Sequence, residues 1–269
     1  MMRKLSISSF LLAVLLSATA GAQGEERAER WLRNCDNDWN SDRARFCEVR
    51  EFTIRPSSRV VVDGGDNGGV SFFGWDRNEV KVVAMIQTSA DSDADAAALA
   101  KQVRVETTDG RIEAKGPSSR GRTSWSVSYH VYVPRQSNLQ ATTRNGGVSA
   151  QMVEGTMNFR ATNGGISLDQ VGGDIRAETT NGGVNARLTG STWKGRGLDL
   201  ETTNGGVSVA IPRGYNARLE TGTVNGGMNI DFPVTVQGRI GKHFETQLGS
   251  GGPLVRVVTT NGGVKISRH

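Results

Sequence analysis

Glu178, Glu201 and Glu220 are the residues whose type and spacing come nearest to chemistry. Each closes a short alternating segment: Ile175-Arg176-Ala177-Glu178, Leu198-Asp199-Leu200-Glu201 and Ala217-Arg218-Leu219-Glu220. If these segments are strands stacked in register, the three carboxylates form one outward row, with Arg160 beside Glu178 at its start. A neighbouring row then reads Arg176, Asp199, Arg218, alternating in sign. A carboxylate row can hold a divalent cation or a glycan, or can supply the paired acids of a carbohydrase. A carbohydrase needs its acid and base in unlike environments, whereas this row is uniform and solvated. Unit charges about 5 Å apart in water interact by only roughly 0.8 kcal/mol, so the row is tolerable as an ion-paired surface.

Trp193 is the fourth candidate. It lies in the stretch from Leu188 to Gly197 that lengthens one repeat, and insertions in repeat proteins gather on a functional face. With Trp125 and Tyr215 it is among the aromatics available to grip a sugar from the surface. Histidine offers little: His130 sits in an alternating segment, His243 in a loop-like one and His269 at the end of the sequence, none at metal-ligand spacing. No nucleophile elbow, phosphate-cradling glycine loop or HExxH occurs, so no catalytic, cofactor or metal residues are assigned. Asp36-Asn37-Asp38-Trp39-Asn40-Ser41-Asp42 begins like a calcium loop, then has Ser41 where the turn needs Gly and Cys47 where a bidentate Glu belongs.

The elements that would position these groups come from an internal repeat. Asn-Gly-Gly followed by an apolar residue begins at Asn67, Asn145, Asn163, Asn181, Asn204, Asn225 and Asn261. The last six are spaced 18, 18, 23, 21 and 36 apart, and 36 leaves room for one degenerate copy between Asn225 and Asn261. Three residues after Asn come Val148, Ile166, Val184, Val207, Met228 and Val264; five after come Ala150, Leu168, Ala186, Val209, Ile230 and Ile266. That period of two predicts one short strand after each turn, and the Glu-bearing segments supply one before it.

Asn and Gly tolerate the positive φ of a sharp corner, so the turn can recur. A hairpin reading gives an antiparallel meander, sandwich or barrel. A β-solenoid reading stacks each column on itself about 4.8 Å apart, with the asparagines in a hydrogen-bonded ladder. Columns that keep their residue type across six copies fit stacking better. The predicted fold is therefore all-β: a β-solenoid of stacked repeats of 18 to 23 residues. Residues 141–269 form the regular part and 51–140 a less regular strand-rich part, with one short helix from Ser92 to Gln102.

The remaining segments concern compartment. Arg3 and Lys4, the apolar run Phe10 to Leu16 and the small residues around Ala18 to Ala22 read as a signal peptide, 1–22. Residues 23–50 form an N-terminal cap in which Cys35 and Cys47, the only 2 cysteines, are expected to pair once exported. No later segment has the apolar length of a transmembrane anchor. The formal charge of +5 falls to +3 without Arg3 and Lys4, too little for a nucleic-acid binder. Of 32 basic residues 25 are Arg and 7 Lys, which suits paired, planar contacts on a sheet surface. The 35 glycines against 6 prolines point to many tight turns and away from a helical bundle.

The repeated Thr-Thr-Asn-Gly-Gly-Val at 179–184, 202–207 and 259–264, the Gly74-Trp75-Asp76-Arg77 segment and the Cys47-Glu48-Val49-Arg50-Glu51 start resemble the DUF4097 family of exported bacterial proteins of adhesin type. The resemblance runs from about residue 35 to the end, and implies a β-strand-repeat domain of the cell envelope. The expectation is a non-enzymatic β-solenoid, periplasmic or extracellular, acting as an adhesin-like binding or scaffolding surface. Its partner is an envelope glycan or protein, with self-association possible through the solenoid ends. An enzyme acting on envelope or extracellular polysaccharide, and a regulatory partner in envelope stress, are the alternatives.

Overall fold

The computed structural model describes residues 28–35, 43–119, 121–233 and 241–269. The signal-peptide segment 1–22 and the calcium-loop-like stretch 36–42 lie outside the described residues. Helix α1 spans 28–35 and α2 spans Asp93–Gln102. Only the second was expected. Ser92 caps it, its hydroxyl accepting from the Asp95 backbone N–H at 3.2 Å, and Asp93 and Asp95 face the positive end of the helix dipole.

Among the described residues everything else regular is strand. The less regular part holds β1 (Ala44–Ile54), β2 (Val60–Asp63), β3 (Val70–Trp75), β4 (Val80–Ala90), β5 (Arg104–Thr108), β6 (Arg111–Lys115) and β7 (Ser124–Pro134). The repeats begin with β8 (Leu139–Thr143), β9 (Val148–Gln151), β10 (Glu154–Asn163), β11 (Ile166–Asp169), β12 (Gly172–Asn181) and β13 (Val184–Arg187). They continue with β14 (Gly197–Asn204), β15 (Val207–Ile211), β16 (Ala217–Asn225), β17 (Met228–Ile230), β18 (His243–Leu248), β19 (Leu254–Asn261) and β20 (Val264–Arg268).

The strands form two ten-stranded sheets. Sheet A runs β1-β4-β7-β3-β9-β11-β13-β15-β20-β17, and sheet B runs β18-β16-β19-β14-β12-β10-β8-β2-β6-β5. The fold is all-β, and both sheets are mixed: parallel through the repeats, antiparallel at β1–β4–β7, β5–β6 and β16–β18. Each Asn-Gly-Gly carries the chain from a sheet B strand to a sheet A strand. Within each sheet equivalent residues meet in register, Ile166 opposite Val148 and Val184, and Ile175 opposite Met157 and Leu198. The inward columns of the two sheets meet in one core, where Phe72 of sheet A stacks on Phe159 of sheet B with ring centroids 5.7 Å apart. A core shared by every repeat explains why no single repeat could be stable alone.

The order of the last strands corrects one expectation. Among the described residues no degenerate copy stacks between Asn225 and Asn261. Instead β19 lies between β14 and β16, and β20 between β15 and β17, so the last repeat in sequence is inserted beside an earlier one. The cause is visible in the residues. Thr259-Thr260-Asn261-Gly262-Gly263-Val264 repeats Thr202 to Val207 exactly in type, giving matched pairs Thr202–Thr259, Asn204–Asn261 and Val207–Val264. The divergent copy, β16–β17, is displaced to the end of the stack, where β18 covers the edge of β16 in antiparallel fashion.

The disulfide Cys35–Cys47 ties α1 to β1. Ala28 of that helix packs on the outer face of sheet A against Trp75, Val83 and Tyr132.

Candidate functional site

The site is built on the corners. The seven asparagine side chains stack in the order 67, 145, 163, 181, 204, 261, 225, and each after the first donates its amide N–H to the carbonyl oxygen of the one before it. The distances are 3.0 Å for Asn145 to Asn67, 2.7 Å for Asn163 to Asn145, and 2.8 Å for Asn181 to Asn163 and Asn204 to Asn181. Asn261 to Asn204 and Asn225 to Asn261 are also 2.8 Å.

Two positions before Asn sits a buried threonine that sequence reasoning overlooked. The hydroxyls of Thr143, Thr179, Thr202, Thr259 and Thr223 donate to the carbonyls of Gly68, Gly164, Gly182, Gly205 and Gly262, the first glycine of the adjoining corner. The recurring Thr-Thr pair was the available signal at 179–180, 202–203 and 259–260, where the first member turns in and the second out.

The outward rows of sheet B differ from those expected. Glu178 and Glu201 are paired neighbours, with Arg160 beside Glu178. Glu220 does not join them. It stands in the adjacent row, which reads Asn158, Arg176, Asp199, Arg256, Glu220. The reason is spacing: Glu178 and Glu201 lie three residues before their asparagines, Glu220 five before Asn225, and the Asn corner sets the register. Arg218 likewise leaves the Arg176 row and faces Glu245 at 3.1 Å.

Arg256, brought in by the inserted β19, occupies the centre of this group. Its Nη1 lies 2.7 Å from Asp199 and 3.0 Å from Glu201, and its Nε 3.4 Å from Glu220. Burial works against its charge, but hydrogen bonds to Asp199 and Glu201 outweigh that and raise its pKa. Glu178 is held by Arg160 at 3.1 Å and by Arg176. Burial pushes the Glu178 carboxyl up, and the hydrogen bonds from Arg160 and Arg176 more than reverse it, so the pKa ends below the usual glutamate value. Guanidiniums already pair both carboxylates of the acidic row, which makes it a poor cation cradle. A depressed carboxyl is also the opposite of what a general acid needs.

Trp193 is a second correction. It is 3% exposed and its indole N–H donates to the Gly173 carbonyl at 3.0 Å, so the longer repeat turns its aromatic inward. It takes the corner position held by Val153 and Val171 in the preceding repeats, and Tyr215 is buried as well. The aromatic that does reach a cavity is Trp125. Its ring lies against Gly116 and packs partly on the core, its N–H donates to Pro117 O at 2.7 Å, and the residue lines a groove of about 890 Å³.

That groove crosses the outer face of sheet B along the stacking axis, over the corner ends of β2, β8, β10, β12 and β14. Its floor carries Thr142, Arg160, Glu178 and Glu201 and the exposed threonines Thr162, Thr180 and Thr203. At the Trp125 end it adjoins a second cavity of about 430 Å³, the two sharing Asp63, Gly65, Asp66 and Trp125. The arrangement offers hydroxyls, ion-paired carboxylates and guanidiniums, and one aromatic ring at the end. Among the described residues no cluster of His, Cys, Asp and Glu is suited to a metal ion, and no helix is long and apolar enough to cross a membrane.

Residues 129–267 match the model of a family described as Toastrack DUF4097. No curated protein matches the chain in sequence. Among solved structures, a candidate cell adhesion protein from Clostridium sporogenes is similar at 13% identity and a TM-score of 0.47, the alignment covering 83% of this chain and 100% of that one. A candidate adhesin from Bacteroides fragilis is similar at 9% identity and a TM-score of 0.42, covering 83% and 97%. A candidate lipid-binding protein from Parabacteroides distasonis is similar at 11% identity and a TM-score of 0.27, covering 82% and 96%.

Proposed function

The chain belongs to the Toastrack DUF4097 family, and we propose on that footing that it is an exported, non-enzymatic β-solenoid whose outer face is a binding surface at the cell envelope. The observation that carries this reading is the groove over five consecutive sheet B strands, walled at one end by Trp125. Glu178 and Glu201 on its floor are paired with arginines from neighbouring repeats, an arrangement suited to holding a ligand by polar contacts and unsuited to proton transfer. An enzyme would need one carboxyl raised in pKa, and Glu178 is displaced the other way.

The export reading rests on the sequence features at 1–22 and on the disulfide, a bond that persists in oxidising compartments. Co-sedimentation of the mature protein with isolated envelope polysaccharide, with assay of the supernatant for released sugar, tests the proposal. Saturable pelleting without release is the expected result, and sugar release would replace it with an enzyme. If the protein does not pellet, the envelope partner is a protein, and crosslinking identifies it.

A further inference from the structure

We infer that the groove ligand is a neutral, unbranched glycan laid along the stacking axis, about one sugar ring per repeat, with its end ring on Trp125. This rests on the binding-surface reading above and goes further by naming the ligand class. The first argument is spacing. The groove crosses five strands, hence four steps of about 4.8 Å, or about 19 Å in all. A pyranose in a linear chain advances by nearly one such step, so successive rings meet a column that reads Asp63, Thr142, Arg160, Glu178, Glu201, and on the last three strands the hydroxyls of Thr162, Thr180 and Thr203 beside it.

The second argument is charge. The lining holds four carboxylates, Asp63, Asp66, Glu178 and Glu201, against two guanidiniums, Arg144 and Arg160. Arg176 and Arg256, which also bond Glu178 and Glu201, bring the guanidiniums to four, so the charges around the groove balance and a polyanion finds no net attraction. A polycation gains little, because Glu178 and Glu201 are already satisfied by Arg160, Arg176 and Arg256, and Asp66 faces Arg144 at 3.5 Å. Paired carboxylate and guanidinium groups present fixed acceptors beside fixed donors, the complement of vicinal hydroxyls. The third argument excludes an extended peptide. Strands β8, β10, β12 and β14 each have neighbours on both sides, so no ladder is open for strand addition, and the floor has no apolar pockets for alternate side chains. The ring of Trp125 supplies the flat apolar surface on which a sugar face packs.

Calorimetric titration of the mature protein with β-1,4-linked glucose and N-acetylglucosamine oligomers of two to six rings tests this. Affinity is expected to rise with each ring to about four and then level off. Trp125→Ala should weaken binding about tenfold. Thr180→Tyr, which blocks the groove from an exposed position, should abolish binding with an unchanged melting temperature, so the result does not depend on the tryptophan variant folding. Tighter, salt-sensitive binding of galacturonate or glucosamine oligomers, or of oligopeptides, overturns the inference. So does an affinity that keeps rising beyond four rings, or one that Thr180→Tyr leaves intact. Envelope polysaccharide that pellets the protein while every neutral oligomer fails overturns the ligand class alone, whereas failure of both, with no protein partner captured by crosslinking, overturns the binding-surface reading too.

Discussion

Arg256 holds three carboxylates from two strands apart from one another, at a side-chain exposure of 29%. Arg256→Ala leaves Asp199, Glu201 and Glu220 facing each other, and after allowance for solvent screening the expected loss is about 1–2 kcal/mol, read from thermal or urea melts. Arg256→Lys should recover only part, since a single ammonium cannot serve both Nη1 and Nε contacts. Glu178 gives the pH dependence. Its folded pKa lies below the unfolded one, so its contribution is present above the ordinary glutamate range and fades as pH falls through the folded value. Melting temperature followed from pH 7 downward should therefore drop less steeply in Glu178→Gln than in the parent, and identical acid limbs would contradict the assignment. At this scale the sequence showed that Glu178 and Glu201 share a row. It misplaced Glu220 because the segments were aligned by their acids, when the Asn corner is what sets register.

The corner is the element on which the rest depends, and its first glycine is there for space. A Cβ on Gly182 would stand 2.3 Å from the Gly164 carbonyl, whereas one on Gly183 would meet its nearest atom, Gly206 O, at 3.3 Å. Gly182→Ala is thus expected to destabilise by at least 2 kcal/mol or to prevent folding, roughly the cost of overpacking a core, and Gly183→Ala by well under half of that. Thr202→Val keeps the shape of the buried side chain but strands the Gly182 carbonyl, for an expected loss of about 1–2 kcal/mol in denaturant melts.

The repeat was legible because Asn-Gly-Gly marks each corner and alternation marks each strand. Trp193 was not, because local sequence polarity around an insertion says nothing about which way one large side chain turns. Helix α1 was missed for a similar reason: it is short, and its apolar face is completed by Trp75 and Tyr132, far away in sequence. Trp125 is among the aromatics that the sequence offers, but its place beside Gly116, where a Cβ would stand 2.8 Å from the ring, is set by a strand distant in register and not by its own neighbours.

Across the whole molecule, stability is shared between neighbouring repeats, so losing one has an effect that depends on where it sits. The last one sits inside the stack. Removing 254–269 takes the common neighbour from β14–β15 and from β16–β17 together. Hydrogen exchange of that shortened protein should show β16 and β17 unprotected while amides of β8 to β13 stay protected. Retained protection over 217–230 would mean the divergent copy can dock directly on β14.

The placement of β19 and β20 also sets an order of events. A chain made N-terminus first can add its repeats one on another only as far as β15. The next copy, β16–β17, has no seat until β19 and β20 have been made and have entered the gap. A chain cut short before β19 therefore carries a loose flap rather than one repeat fewer. Arrival of β19 and β20 becomes a condition for closing the stack, and a protease would meet truncated copies already opened for digestion.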